Sequence, residues 1–289
     1  MTFKDSLRTK DFVVTAHVNL AQAPDANLLK LQGAILGPAV DAVQLTDTTQ
    51  VHMSGIAAAA ILTQQGIDPI VHMNCRDRNR IALQKDFLGA AALGVTSVLV
   101  MRGKKIKDNE KLGVRNVFDT PALEFMAYIE SLKNAENSTL DSDFLLGASA
   151  EIFNPDADWT PNNLIRKCDA GANFVQLQIC FDIDVVRNYM SHMVASQLTH
   201  RAHFIMALSP FPSADVARWM RDNVKGALVP DHIIERMEQA SDPECEGIEI
   251  CAELLRELAT IPGVSGANLL TMGKLETIPA AINTSGVRK

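Results

Sequence analysis

PIVHMNCRDRNRIALQKDFLGAAALGVTSVLVMR, residues 69–102, reads as a strand, a helix and a second strand. Pro69–Cys75 and Ser97–Arg102 are short, nearly continuous apolar runs, the pattern of strands covered on both faces. Between them Arg80–Leu93 has helical period, and Gly94 stands just past its end. Two strands joined through a helix of this length run parallel. The same alternation extends in both directions. Further strands are expected at Phe12–Val18, Ala42–Thr46, Phe144–Ala150, Phe174–Phe181, His203–Ser209 and Ala267–Met272. Helices are expected at Asp25–Leu36, Ser54–Gln65, Pro121–Lys133, Pro161–Ala170, Asp184–Gln197 and Ser213–Val224, with a last one split into Asp231–Ala240 and Gly247–Ala259. Eight such units in one chain predict an α/β fold, a (β/α)8 TIM barrel. The competing doubly wound sheet lacks its GxGxxG fingerprint after the first strand. The expected organisation is one barrel domain over residues 1–289, with 1–10 and 284–289 as peripheral tails.

The 289 residues are 47% hydrophobic and 21% charged, with 16 Gly and 12 Pro, which excludes a disordered, collagen-like or coiled-coil chain. A net charge of −7 without a long basic run argues against nucleic acid or an anionic membrane as the main partner. No apolar run approaches the roughly 20 residues of a spanning helix, and Met1–Lys10 lacks the apolar core of a signal peptide. Five scattered cysteines without a CxxC pair read as reduced thiols rather than a disulfide framework or a metal site. The expected location is cytoplasmic.

In a barrel of this kind, chemistry sits at the C-terminal ends of the strands. Those ends carry His17 and Asn19, Thr46 and Asp47, His72 and Asn74, Arg102–Lys104, Ala150–Asn154, Gln178 and Asp182, Ser209–Pro212, and Thr271–Lys274. The charged loop Lys104–Asn116 after the fourth strand has a length that is commonly functional.

VVTAHV, QLTD, VHMNCRDRNR, VLVMRG, VFD, RKCDAGANFVQLQICFD, EGIEICAELLREL and IPGVSGANLLTMG follow one another from about Phe12 to Ile282. Together they resemble the methylenetetrahydrofolate reductase family; the segment Lys167–Asp182 is the most specific. The resemblance implies a TIM barrel holding FAD without a covalent link. It implies hydride transfer from NADH or NADPH to flavin, then to 5,10-methylenetetrahydrofolate, giving 5-methyltetrahydrofolate in a ping-pong sequence.

By the same resemblance, Thr46, His72, Met101, Arg102, Gly103, Lys104, Ala148 and Ala150 fall to the flavin. Asn163, Arg166 and Lys167 fall to its ribityl and diphosphate groups, and Gln178 to the pterin. Their spacing puts Asn163, Arg166 and Lys167 on one helical face. Each has an ordinary structural alternative: Thr46 satisfying a strand-end carbonyl, His72 packed and hydrogen-bonded, a solvated basic face at 163–167. Glycine at 103 would allow close backbone approach to a cofactor.

Two departures from the family pattern stand out. The glutamate that would protonate N10 is His17 here, and a histidine can serve as a general acid because its ordinary pKa is about 6.5. The family's RGD is Arg102-Gly103-Lys104. Turned inward, Lys104 would reverse a charge near flavin and pterin, worth on the order of 3 kcal/mol at ~5 Å and an effective dielectric of ~20. That would favour oxidation of 5-methyltetrahydrofolate; with its neighbours Lys105 and Lys107 it could equally face solvent. Phe211 could supply the aromatic face against which nicotinamide and folate stack. Besides a reductase, two alternatives stay open: a methyl-transfer or demethylation protein without flavin redox, and a folate- or flavin-binding subunit that needs a redox partner. A homo-oligomer is the common case for such enzymes.

Overall fold

The computed structural model describes residues 2–106 and 113–288; the middle of the Lys104–Asn116 loop lies outside them. Eight parallel strands close in sequence order: β1 Val13–Val18, β2 Ala42–Leu45, β3 Pro69–Asn74, β4 Ser97–Met101, β5 Leu145–Ala150, β6 Phe174–Ile179, β7 His203–Leu208 and β8 Val264–Leu269. Thr15 sets the closure, lying opposite Ala42 on one side and Asn268 on the other. The expected TIM barrel is what the chain forms. The eighth strand begins three residues earlier than its sequence predicts, because Gly266 makes Val264–Ala267 look like a turn. A Cβ at 266 would lie 2.3 Å from the Val13 carbonyl oxygen, so the glycine serves the closing strand pair.

The helices are α1 Phe3–Thr9, α2 Ala26–Leu36, α3 Gly55–Gln64, α4 Arg80–Ala92, α5 Ala122–Lys133, α6 Asn162–Asp169, α7 Ile183–Ala195, α8 Ala214–Asn223, α9 Asp231–Gln239, α10 Pro243–Leu258 and α11 Thr277–Ser285. Side-chain caps start many of them: Asp25 accepts from Leu28 N, Asn79 from Ala82 N, Ser213 from Val216 N, and Asp242 from Cys245 N just ahead of Pro243. Outward-facing strand residues such as Val14, Val43, Val98 and Val175 join the helices in one large core. No described helix is long and apolar enough to cross a membrane.

A second, smaller core fills the lower end of the barrel: Val13, Ala42, Ile70, Leu99, Leu145, Phe174 and Ile205, with Phe3 and Leu7 of α1. Phe3 is fully buried, its ring edge-on to Phe174 at 5.5 Å. Residues 2–10 are therefore not the peripheral tail expected of 1–10 from their polarity. Thr2 and Asp5 form a capping box, which lets a seven-residue helix hold its two apolar side chains inward as a stopper. The other expected tail is also tied down. Asp41, with its side chain 1% exposed, binds Lys10, Ser6 Oγ (3.2 Å), Val14 N (2.8 Å) and Arg288 (3.0 Å), joining the α1 segment to Arg288 beneath β1 and β2. With the lower end plugged, chemistry is left to the upper end.

Candidate active site at the open end of the barrel

Above the apolar stopper the barrel interior turns polar. Gln44 Nε2 donates to Thr15 Oγ1 (3.0 Å) and, across the barrel, to Gln176 Oε1 (2.9 Å). Thr15 Oγ1 donates to Asn268 Oδ1 (2.8 Å), and Gln176 Nε2 to the carbonyls of Leu177 (3.2 Å) and Ile205 (3.4 Å). Two imidazoles stand on this layer. His17 Nε2 and His72 Nε2 lie 3.0 and 2.9 Å from the same atom, Gln44 Oε1, and the rings meet edge to face at 5.3 Å. Burial pulls the His17 pKa down to about 4. Burial and then the neighbouring His17 hold His72 well below its ordinary value. Both rings are neutral at neutral pH. Burial thus works against the charged ring on which a general-acid role for His17 would draw. Two fully buried atoms, Asn268 Nδ2 and Ser209 Oγ, have no protein partner among the described residues, so the interior keeps hydrogen-bonding capacity for a guest.

The rim is built by charge pairs. Arg78 joins Asp47 (2.7 Å) to Asp86 (2.8 Å). Arg76, its side chain 3% exposed, grips Asp77 with two bonds of 2.6 Å and also reaches the carbonyls of Thr48 (2.6 Å) and Lys104 (3.4 Å). One guanidinium thus staples the loops after β2, β3 and β4. A cavity of about 200 Å³ opens at the ends of β2 and β3; Thr46, Asp47, His72, Met73 and Arg78 are among its walls.

The residues assigned from the family pattern separate into three groups. Thr46 and His72 line the cavity, with Thr46 Oγ1 3.4 Å from the Val18 carbonyl. Met101 is half-buried against the lower core, whereas Ala150, half-buried at the end of β5, packs against the outer core on the same strand face as Ala148 and does not line the cavity. Gln178 sits at an irregularity in the β6–β7 pairing, a feature that re-aims side chains beside many active sites. It is half-buried, donating to Lys225 O (2.9 Å) and accepting from Ile179 N (3.2 Å). A second group lies on the rim. Asn163 and Arg166 are exposed, whereas Lys167 is half-buried and donates to Ser149 O (2.6 Å). Burial lowers the Lys167 pKa.

Arg102 is exposed with its guanidinium 4.6 Å from the centre of the Phe118 ring. Gly103, at φ +81°, is required by the protein itself, since a Cβ there would lie 2.8 Å from Arg76 Cβ.

A third group corrects the expectation. Lys104 is exposed, and only its carbonyl enters the rim, through Arg76. Ala148, 1% exposed, faces the helices in the outer core. Phe211, also 1% exposed, stacks on Phe181 at 4.6 Å with α10 against its backbone, where Gly247 leaves no room for a Cβ. Both side chains are covered by the protein's own packing rather than open to the barrel mouth. Sequence reasoning missed Thr15, Gln44, Gln176 and Asn268, as well as the Arg76 and Arg78 staples. For Thr15 and Gln176 the signal was a polar residue two places from another within an apolar strand, Thr15/His17 and Gln176/Gln178, which marks the inward face.

A family model described as methylenetetrahydrofolate reductase matches residues 32–286. A Caenorhabditis elegans protein named "Probable methylenetetrahydrofolate reductase (NADPH)" is 24% identical over 245 residues, 83% of this chain and 35% of its own length. Methylenetetrahydrofolate reductase 1 of Schizosaccharomyces pombe is 22% identical over 239 residues, 78% of this chain and 37% of its own. The chain spans little more than a third of the length of these curated relatives. A solved Clostridium thermocellum protein, described as binding two copies of 5-methyl-5,6,7,8-tetrahydrofolic acid, has the same fold, with TM-score 0.63 and 12% identity over 98% of this chain and 96% of that one.

Proposed function

The chain belongs to the methylenetetrahydrofolate reductase family, and from that premise we propose that it is an oxidoreductase interconverting 5,10-methylenetetrahydrofolate and 5-methyltetrahydrofolate at the open end of its barrel. The observation that carries this is the convergence of Thr46 and His72 on one cavity, with His17 beside them, inside a family match spanning residues 32–286. The folate-binding C. thermocellum neighbour supports the same ligand class.

Non-covalent FAD fits the rim at one end. Lys167 is a half-buried ammonium whose hydrogen bond goes to a carbonyl, leaving two N–H groups for an anion. Arg166 and Asn163 stand beside it on α6 and would share a diphosphate with it, with Arg102 as a further cation. When bound, the flavin supplies a hydride store between NADH or NADPH and the folate, in a ping-pong order. The curated C. elegans relative's name favours NADPH.

In the forward direction the methylene carbon gains a hydride, its bond to N10 breaks, and N10 gains a proton. The protein's own groups orient this chemistry. Gln178 turns its amide from the Lys225 carbonyl to the pterin, and the neutral His17 and His72 offer ring nitrogens to it. We place the enzyme in the cytoplasm. Exposed Leu31 on α2 and Ile81 and Leu88 on α4 offer apolar area to a second copy or a redox partner.

The test is the colour and turnover of the purified protein. A yellow protein bleached by NADPH or NADH under anaerobic conditions, and recoloured by 5,10-methylenetetrahydrofolate, is the expected result. A yellow protein that accepts electrons only from another donor would make it a subunit. A colourless one that still binds 5-methyltetrahydrofolate would move it to methyl transfer or demethylation.

A further inference from the structure

Every hydrogen bond in the polar layer points one way. An amide oxygen can only accept, so the two contacts at Gln44 Oε1 require a proton on Nε2 of both His17 and His72. Gln44 cannot be turned over without cost, because its two N–H groups are matched to the hydroxyl of Thr15 and the oxygen of Gln176. Those neighbours are committed in turn: the Thr15 hydroxyl proton goes to Asn268 Oδ1 and the Gln176 N–H groups go to backbone carbonyls. The chain of donors therefore runs from the mouth into the barrel and ends on acceptors that do not titrate. It cannot pass a proton along; what it does is fix which nitrogen of each ring is protonated.

We propose that Gln44 is a positioning residue that locks His17 and His72 as a pair of Nε2–H tautomers, so that the barrel mouth presents two Nδ1 lone pairs to N–H donors on its ligand. Neither Nδ1 has a hydrogen-bond partner among the described residues, and His72 lines the cavity. A pterin carries such donors in its ring N–H and amino groups, so on the folate reading above, on which this ligand assignment rests, the pair takes an acceptor role that a carboxylate would otherwise fill. Around the rings, β2 contributes neutral Gln44 and β3 contributes His72 itself; Asp47 at the end of β2 is held by Arg78. Each ring's nearest titratable group is the other ring, and two cations side by side would repel, which keeps the pair neutral together.

The test uses the full chain with its seven histidines labelled with ¹⁵N. In the wild type, two rings should show the pure Nε2–H form from pH 8 to pH 5.5. In Gln44→Met, at least one of them should become a tautomer mixture, and 5-methyltetrahydrofolate should bind roughly tenfold more weakly by calorimetry, the loss expected for one or two misdirected hydrogen bonds. In Gln44→Glu, which keeps the acceptor and adds a charge, the rings should protonate at higher pH while the tautomer stays Nε2–H. An Nδ1–H or mixed population at either ring in the wild type overturns the proposal whether or not the variants fold. So does a Gln44→Met protein with both rings unchanged. A locked pair in a wild-type protein that fails to bind 5-methyltetrahydrofolate overturns the folate reading and leaves the lock standing.

Discussion

At the scale of single residues, the histidine pair links the site to stability. His17 has a folded pKa of about 4 against about 6.5 when unfolded, so between those values the unfolded chain binds the extra proton. Stability contributed by the neutral ring is complete above about pH 6.5 and is lost as pH falls toward 4. From His17 alone the loss by pH 5 is about 2 kcal/mol, and His72 acts in the same direction. Urea unfolding at pH 7.5 and pH 5 should show this decline, and His17→Asn should flatten it; an unchanged slope would show that the ring is not held neutral. Lys104 gives the opposite case. Its side chain is in solvent, where exposed charge interactions are worth at most about 1 kcal/mol, so Lys104→Asp should change the Kd for 5-methyltetrahydrofolate by less than about fivefold. A far larger change would mean that Lys104 turns into the mouth.

Among the elements, the stopper separates a barrel with one working end from an open pipe. Gly147 on β5 exists for Phe174: a Cβ there would fall 2.2 Å from the ring. Gly147→Ala should cost roughly 1–3 kcal/mol by overpacking, and the double variant with Phe174→Leu should recover most of it. Phe3→Ala should cost about 3–5 kcal/mol in thermal or urea unfolding, as for other buried aromatics; a loss below about 1 kcal/mol would mean that α1 is only loosely attached. The sequence shows why this element was hard to read. FKDSLRT has two apolar residues in seven and is too short for a helical period to register, so only its capping box and the contact between Phe3 and Phe174 reveal it. The β-strands were legible because both of their faces are covered and their apolar runs are nearly continuous. That same continuity hid the inward polar face: Gln44 is a lone polar residue in the four-residue strand AVQL, and nothing local says that it meets Gln176, 132 residues away. Thr46 and His72 were legible through the family motifs around them. Phe211 and Ala148 carried the right residue types at the right places in the chain, but one lies under α10 and the other faces outward, and orientation is a tertiary property.

For the whole molecule, the two ends of the barrel have divided their tasks. The lower end is sealed by Phe3, Leu7 and Phe174, and Lys10 and Arg288 are both fastened to Asp41 beneath it. The upper end carries a neutral imidazole pair, a cavity at β2 and β3, and the cations of α6. Hydrogen–deuterium exchange of the full chain with and without 5-methyltetrahydrofolate reads this division directly. Protection should appear in the segments following β2, β3 and β6, with α1 and the turns at the lower end unchanged. Protection confined to the lower end, or none at saturating ligand, would contradict a folate site at the open mouth.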